Sequence, residues 1–414
     1  MRGALAAGGG WIAPALWSVS AGRTLELRRA RPGDPEPLDL VLLPGLVNAH
    51  SHLDLAGAPP IPARGDFTEW LFAVGGVRDD ARDVEASARA ESEALARAGV
   101  TLVGDIDWSG GSATRGRTAA GLDGVAYHEI VGVHRERARL RLAAALQLVE
   151  RSDPAGVGLS PHAPFTVHHE VVREIVLAAA RRGLRLAMHL AETPEETRFL
   201  LHGDGPVLRF LQAIGKGLPF ETPPRLRPVA WADEAGLLAA GCVVVHGNDL
   251  DDDDVARLAA RGSSVVYCHG THSHFGRPRH RIGELLDAGV NVALGTDSGL
   301  SNRGVDLWAE LQRLAADRPD LDPLRLLDCA TAGGRKALGL EPEAASWQPG
   351  TRADALLLAE PPPTVETWTP RAVASWALSG AAHPAATVHG GRFVLGRSTP
   401  PSLAAFLDAP WAQG

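Results

Sequence analysis

Two histidines, His50 and His52, follow the apolar run Leu40-Val41-Leu42-Leu43 in the stretch Pro44-Gly45-Leu46-Val47-Asn48-Ala49-His50-Ser51-His52-Leu53-Asp54. The run predicts a buried strand with the pair near its end, and residues i and i+2 of a strand share a face. His50 and His52 can therefore present two imidazoles to one point, which is what a metal ion needs of its first two ligands. A His-x-His pair fits a plain loop after a core strand equally well, so the pattern has to be completed elsewhere. Three later apolar runs complete it. The run 184–188 ends in His189-Leu190-Ala191-Glu192, the run 243–245 in His246-Gly247, and the run 292–296 in Asp297-Ser298. Any one of these could simply satisfy backbone groups where a strand meets its loop. His50, His52, His189, His246 and Asp297 together are hard to assign to coincidence.

Such residues converge only if the fold brings strand ends to one place. Beyond the run at 40–43, strands are predicted over 99–108, 124–133, 156–167, 184–192, 242–250, 263–268 and 290–297. Helices with apolar residues at helical spacing are predicted over 84–98, 138–151, 169–182, 252–261 and 281–288. Ala98-Gly99, Arg182-Gly183, Arg261-Gly262 and Ala288-Gly289 read as helix ends. The acidic run Asp251 to Asp254 sits where it would open a helix at its favourable end. Eight strands with intervening helices over roughly 250 residues predict an α/β fold, a (β/α)8 barrel, with polar residues gathered at the C-terminal ends of the strands. A doubly wound open sheet is the rival. No Gly-x-Gly-x-x-Gly turn follows the first strand, which lowers it. Residues 1–43 hold short strands and turns but too little apolar surface for a core. The segment 350–396 supplies matching strands, with a Gly390-Gly391 hairpin turn. The expectation is one small β-sandwich domain from 1–43 and 350–396, a barrel over 44–349, and a tail over 397–414.

Composition narrows the function. Of 414 residues, 45% are hydrophobic and 22% charged, which suits a large globular core. Net charge is −8 and no basic stripe runs with aromatics, so no nucleic-acid partner is indicated. No apolar run reaches the ~18–20 residues of a membrane span. Cys242, Cys268 and Cys329 are far apart and lack Cys-x-x-Cys spacing, as in a reducing compartment. The small apolar N-terminus raises a signal peptide, but Gly8-Gly9-Gly10 interrupts it, and the cytoplasm is favoured.

Taken together, Pro44 to His52, His189-x-x-Glu192, His246-Gly247 and Gly295-Thr296-Asp297-Ser298 resemble the amidohydrolase superfamily. The narrower resemblance is to its aminohydrolase and chlorohydrolase branch. It extends to Ala330 to Gly339 and Gly350 to Asp354, and so covers nearly the whole chain. The resemblance implies metal ligands His50, His52, His189 and Asp297, Glu192 as proton shuttle, and His246 as the group holding the attacking water. The chemistry agrees. Three neutral imidazoles and a carboxylate suit one Zn²⁺, or Fe²⁺, with a position left for water. Such an ion lowers the pKa of its water from 15.7 toward ~7. Asp297 can accept the proton, and Glu192 can protonate a ring nitrogen and then the leaving amine. Another branch bridges two metals with a carbamylated lysine on the fourth strand. The only lysines here are Lys216 and Lys336, neither on that strand, so a carbamate-bridged pair of metals is excluded.

Substrate recognition is less legible. Ser160-Pro161-His162-Ala163-Pro164-Phe165-Thr166-Val167 resembles a segment whose histidine contacts substrate in adenosine-type deaminases, which makes His162 a candidate. The seventh strand ends in Cys268-His269-Gly270-Thr271-His272, where relatives show Cys-Pro-x-Ser-His. His272 aligns with the family histidine, while His269 and Thr271 depart from the pattern. Gly65 to Leu71 is expected to cap the pocket with Phe67 and Trp70. The run His189 to Glu196 most resembles aminodeoxyfutalosine deaminases and deaminases of S-adenosylhomocysteine and methylthioadenosine. This implies hydrolytic deamination of an amino-purine nucleoside, a heterocyclic amine, with release of ammonia. The same residues would serve loss of chloride from a triazine or opening of a cyclic amide. A non-catalytic binding barrel is the reading of a different class, and completeness of the site argues against it. A homo-oligomer is compatible with the chain.

Overall fold

Eight parallel strands among the described residues form one sheet in chain order: Leu46–Ser51, Val100–Asp107, Asp123–Ile130, Val157–Pro161, Arg185–Leu190, Val243–His246, Ser264–Tyr267 and Asn291–Leu294. The computed structural model describes residues 1–63, 67–79, 82–302, 304–396 and 399–407. Alternation along each strand divides the side chains. Leu102, Ile106, Val125, Tyr127, Ala187, Val266 and Ala293 fill the inside of the sheet, closed from below by Ala337 and Leu338. Val103, Leu159, Leu186, Val265 and Val292 face the surrounding helices. That two-sided burial produces the near-continuous apolar runs seen in the sequence.

The helices form largely where spacing places them: Val84–Arg97, Arg135–Val149, His169–Arg182, Asp252–Ala260 and Ile282–Asp287. The acidic run behaves as expected. Asp251 and Asp254 form a capping box, each carboxylate accepting the other's backbone N–H, at 2.9 and 3.1 Å. Three short helices between the fifth and sixth strands were not predicted: Pro194–His202, Pro206–Ala213 and Pro228–Glu234. Each has proline in its first turn, a start signal that short length obscures.

One expectation needs correcting. Leu40–Pro44 is a buried strand, but it does not lead directly to the histidines as a barrel strand. It lies in a separate six-stranded sheet built from both chain ends, ordered Arg392–Leu395, His383–His389, Ala355–Ala359, Leu40–Pro44, Gly3–Leu5, Trp11–Ile12. The hairpin Ala15–Ser20 with Arg23–Arg29 lies beside it. The division falls at Gly45, where any Cβ would stand 2.4 Å from the Thr101 hydroxyl. The tail expected at 397–414 lies partly outside the described residues; its described part contains the helix Pro401–Leu407, with Leu403 buried against the end sheet. Among the described residues no helix is long and apolar enough to cross a membrane.

The first and eighth strands close the barrel through side chains rather than a regular ladder. The Asn48 amide donates to the Thr296 hydroxyl at 2.8 Å and its oxygen accepts the Thr296 N–H at 3.0 Å. The N–H groups of Thr296 and Asp297 both donate to the His50 carbonyl, at 3.0 Å. Asn48→Ala would leave the buried Thr296 groups short of partners, a loss of about 1–3 kcal/mol. Urea unfolding should show that loss. A change under ~0.5 kcal/mol would mean that closure rests on other contacts.

Candidate active site

The first strand is not regular where the histidines begin. Asn48 pairs with Val103 and Ser51 with Asp105, so three steps on one strand meet two on its neighbour. An extra residue of this kind re-aims the chain. Ala49 belongs to the inner cluster, yet His50, next in sequence, also reaches the centre. His52 lies just past the strand. The convergence expected from simple alternation is achieved, with the irregularity supplying the aim.

At the centre, His52 Nε2 and His189 Nε2 are 3.1 Å apart. Asp297 Oδ1 lies 3.8 Å from His50 Nε2 and 3.7 Å from His52 Nε2. Ligand atoms of His50, His52 and His189 form one group within 4.8 Å, and those of His50, His246 and Asp297 another. Burial holds His50 and His52 well below the usual histidine range, assisted by neighbouring rings, so both are neutral. Both ring nitrogens of His50, and Nδ1 of His52, are buried without a hydrogen-bond partner. His189 faces its Nδ1 to the His162 carbonyl at 2.9 Å, which leaves Nε2 with its lone pair toward the centre. An unpartnered His50 Nε2, the His52 and His189 Nε2 atoms 3.1 Å apart and the Asp297 carboxylate within 4 Å of His50 and His52 fit a divalent cation, so these four residues could hold one.

Asp297 is tightly held. Thr271 and Ser301 hydroxyls donate to Oδ2 at 3.1 and 3.3 Å, and the Ser298 N–H to Oδ1 at 2.8 Å. Thr271, the departure from the family serine, thus keeps the hydroxyl that reaches this carboxylate. His269, the other departure, bridges the Tyr267 hydroxyl and Asp317, each at 3.0 Å. Asp297 and His246 adopt left-handed backbone, with φ of 57° and 75°. Non-glycine residues there cost ~1–3 kcal/mol and cluster at functional sites.

Glu192 Oε1 lies 3.8 Å from His246 Nε2. Burial pushes its carboxyl up to about 8, with Arg277 opposing. Its loop is pinned by Glu196, whose carboxylate accepts the N–H groups of Ala191 and Glu192 at 3.0 Å. The Asn248 amide donates to the Glu192 carbonyl at 3.2 Å, and its oxygen meets His272 Nδ1 at 3.1 Å. His272 is thereby engaged behind the proton-bearing loop. The His162 ring is tilted against that of His189, centroids 4.8 Å apart, with its Nε2 3.7 Å from Glu129 Oε1. Phe67, Trp70 and Phe275 form an aromatic cluster; Gly65 and Asp66 of the expected cap lie outside the described residues.

Sequence reasoning missed Arg277, Glu196, Thr271's bond to Asp297 and the ion-paired Arg78, Asp54 and Glu129. For Glu196 a signal existed, since Thr193-x-x-Glu196 is a capping spacing. Arg277 follows a glycine in an irregular loop and carried none.

The Amidohydrolase family profile matches residues 41–392. The chain is similar to the aminodeoxyfutalosine deaminase of Deinococcus radiodurans, 33% identical over 83% of this chain and 85% of that one. It is also similar to the 5-methylthioadenosine/S-adenosylhomocysteine deaminase of Haloarcula marismortui, 29% identical over 73% and 69% of the two chains. In fold it matches an adenosine deaminase from Xanthomonas campestris with bound zinc, at a TM-score of 0.76, with 23% identity and coverage of 100% and 96%.

Gly295 packs on the first strand so closely that a Cβ would stand 2.8 Å from His50 Cβ and 2.9 Å from its backbone N and O. Gly295→Ala must push His50 from the centre. Overpacking of this kind costs about 1–3 kcal/mol, and the variant should retain less divalent metal after dialysis. Unchanged melting temperature and metal content would show that the strands part without displacing His50.

Proposed function

The chain belongs to the Amidohydrolase family, and from that premise we propose that it is a metal-dependent enzyme that removes the 6-amino group of an adenosine-like nucleoside by hydrolysis. The observation that carries the reading is Glu192: a buried carboxyl, held up to about 8, beside the cluster of His50, His52, His189, His246 and Asp297. The deaminases of D. radiodurans and H. marismortui support the substrate class. Zinc is the proposed ion, supported by the three-imidazole, one-carboxylate donor set and by the zinc of the X. campestris deaminase. Iron(II) would suit the same donors. Three free, buried cysteines support a cytoplasmic setting.

His50, His52, His189 and Asp297 would hold the ion, which supplies a water acidic enough to ionise near pH 7. His246, neutral because burial holds it well below its usual range, orients that water by hydrogen bonding. Asp297 would receive the first proton of that water. Glu192, protonated below about pH 8, gives its proton to the ring nitrogen next to the carbon under attack. The carbon–oxygen bond forms; the amine then takes the proton held on Asp297 as the carbon–nitrogen bond breaks and ammonia leaves, while the proton of the new hydroxyl returns to Glu192 as the carbonyl forms. His162, its ring tilted against that of His189, is proposed to meet the substrate, as is His272, whose Nδ1 is held by Asn248.

Three measurements test this. Ammonia release should be found among adenosine, 5′-deoxyadenosine and 5′-methylthioadenosine; chloride release from a chlorotriazine without ammonia from any nucleoside would overturn the deaminase reading. Glu192→Gln should keep metal and fold while kcat falls ~10²–10⁴-fold, whereas His189→Ala should lose metal and activity together. Because Glu192 must carry a proton, kcat/KM should fall about tenfold per pH unit above roughly pH 8, since the buried acid is then ionised. A flat profile to pH 10 would remove Glu192 from the acid role.

A further inference from the structure

His280 is buried behind the centre, in the loop between the helices His269–His274 and Ile282–Asp287. Its Nε2 meets the His246 carbonyl at 3.1 Å, and the Gly247 carbonyl also faces the ring. Burial holds the imidazole down to about 3, so it is neutral and carries one proton. A carbonyl oxygen can only accept, so that proton sits on Nε2 and is donated to His246. Nδ1 is then bare, which agrees with its burial without a hydrogen-bond partner. The ring is itself held. It stacks on Tyr267, with centroids 4.0 Å apart and planes at 17°. The Tyr267 hydroxyl is anchored by His269, and His269 by Asp317. Arg318 Nη1 donates to the His280 carbonyl at 3.1 Å.

The bond falls on strained backbone. His246 and Gly247 are both left-handed, with φ of 75° and 58°. A non-glycine residue persists there only where its surroundings hold it. The His246 ring hangs on that turn, and its Nε2 lies 3.8 Å from Glu192 Oε1. We propose that His280 is a positioning residue. By donating to the His246 carbonyl it fixes the turn, and so aims the His246 imidazole at the space it shares with Glu192. This rests on the deaminase reading, in which His246 orients the attacking water, and adds a residue that acts through His246. The His280 ring also meets that of His272 edge-on, centroids 5.7 Å apart, so an effect confined to KM would point to that side instead.

The test uses the metal-loaded full chain, a nucleoside that yields ammonia, and three variants. His280→Phe keeps a flat ring for Tyr267 and removes the donor. His280→Gln loses the ring but carries an N–H about as far from the backbone as Nε2. His280→Asn carries the same amide one bond short. The Phe and Asn variants should lose kcat ~10–100-fold, as for a reacting group misplaced by about 1 Å, and His280→Gln less than about threefold. KM and bound metal should match the unaltered protein. In the unaltered protein labelled with 15N-histidine, the His280 ring should show Nε2 protonated and Nδ1 bare, whichever variants fold. Protonation at Nδ1 overturns the proposal. So does unchanged kcat in the Phe and Asn variants, a rise in KM without a fall in kcat, or loss of metal. Equal losses in the Gln and Asn variants overturn it too, because reach is then irrelevant, and this pair decides if His280→Phe does not fold. If no nucleoside releases ammonia, the deaminase reading has failed and the catalytic role of His280 with it. Ammonia released equally fast by all variants leaves that reading intact and removes His280 alone.

Discussion

The site depends on one seam. The first and eighth strands are the most distant in sequence of the barrel, and no regular ladder joins them. Asn48 and Thr296 exchange hydrogen bonds across a sequence separation of 248, and the His50 carbonyl accepts from two successive N–H groups of the eighth-strand end. That contact sets His50 and His52 within 4 Å of Asp297. Gly295 permits it, since no side chain fits between the strands there. The other imidazoles are added on a frame already closed: His189 from the fifth strand, steered by the His162 carbonyl, and His246 from the sixth, turned by its left-handed backbone.

Burial then decides the protonation states. Removing water disfavours every charged form, so His50, His52 and His246 are neutral, and the Glu192 carboxyl keeps its proton to about pH 8. Both outcomes come from one cause acting on groups of opposite charge type. The same dryness makes each remaining charge demand a partner. Arg78 finds Glu129 and Asp54, and Asp297 finds two hydroxyls and a backbone N–H. Arg277 lies 3.9 Å from Glu192 Oε1 and against the faces of Phe67 and Phe275.

The departures at the seventh strand show how a pattern can change while its physics is kept. Threonine at 271 preserves the hydroxyl on Asp297. Histidine at 269 brings a new chain from Tyr267 to Asp317, away from the reacting centre. His272 is held by Asn248, whose amide also holds the Glu192 carbonyl.

Much of this was legible in the residues alone. Apolar runs buried on both faces announce barrel strands, and the histidines and aspartate at their ends are the side chains that the fold brings together. Capping at Asp251 and the left-handed Gly183 end of a helix are local, so local sequence encodes them. Other features belong to the assembled chain. Leu40–Leu43 looks like any barrel strand, and only pairing with Ala355–Ala359 places it in the end sheet. The extra residue near His50, the left-handed turns at His246 and Asp297, and the position of Arg277 follow from close packing between segments far apart in sequence. Desolvation likewise has no address in the sequence: it arises when many elements exclude water together, and it is what pushes the Glu192 carboxyl up and holds His50, His52 and His246 below the usual histidine range.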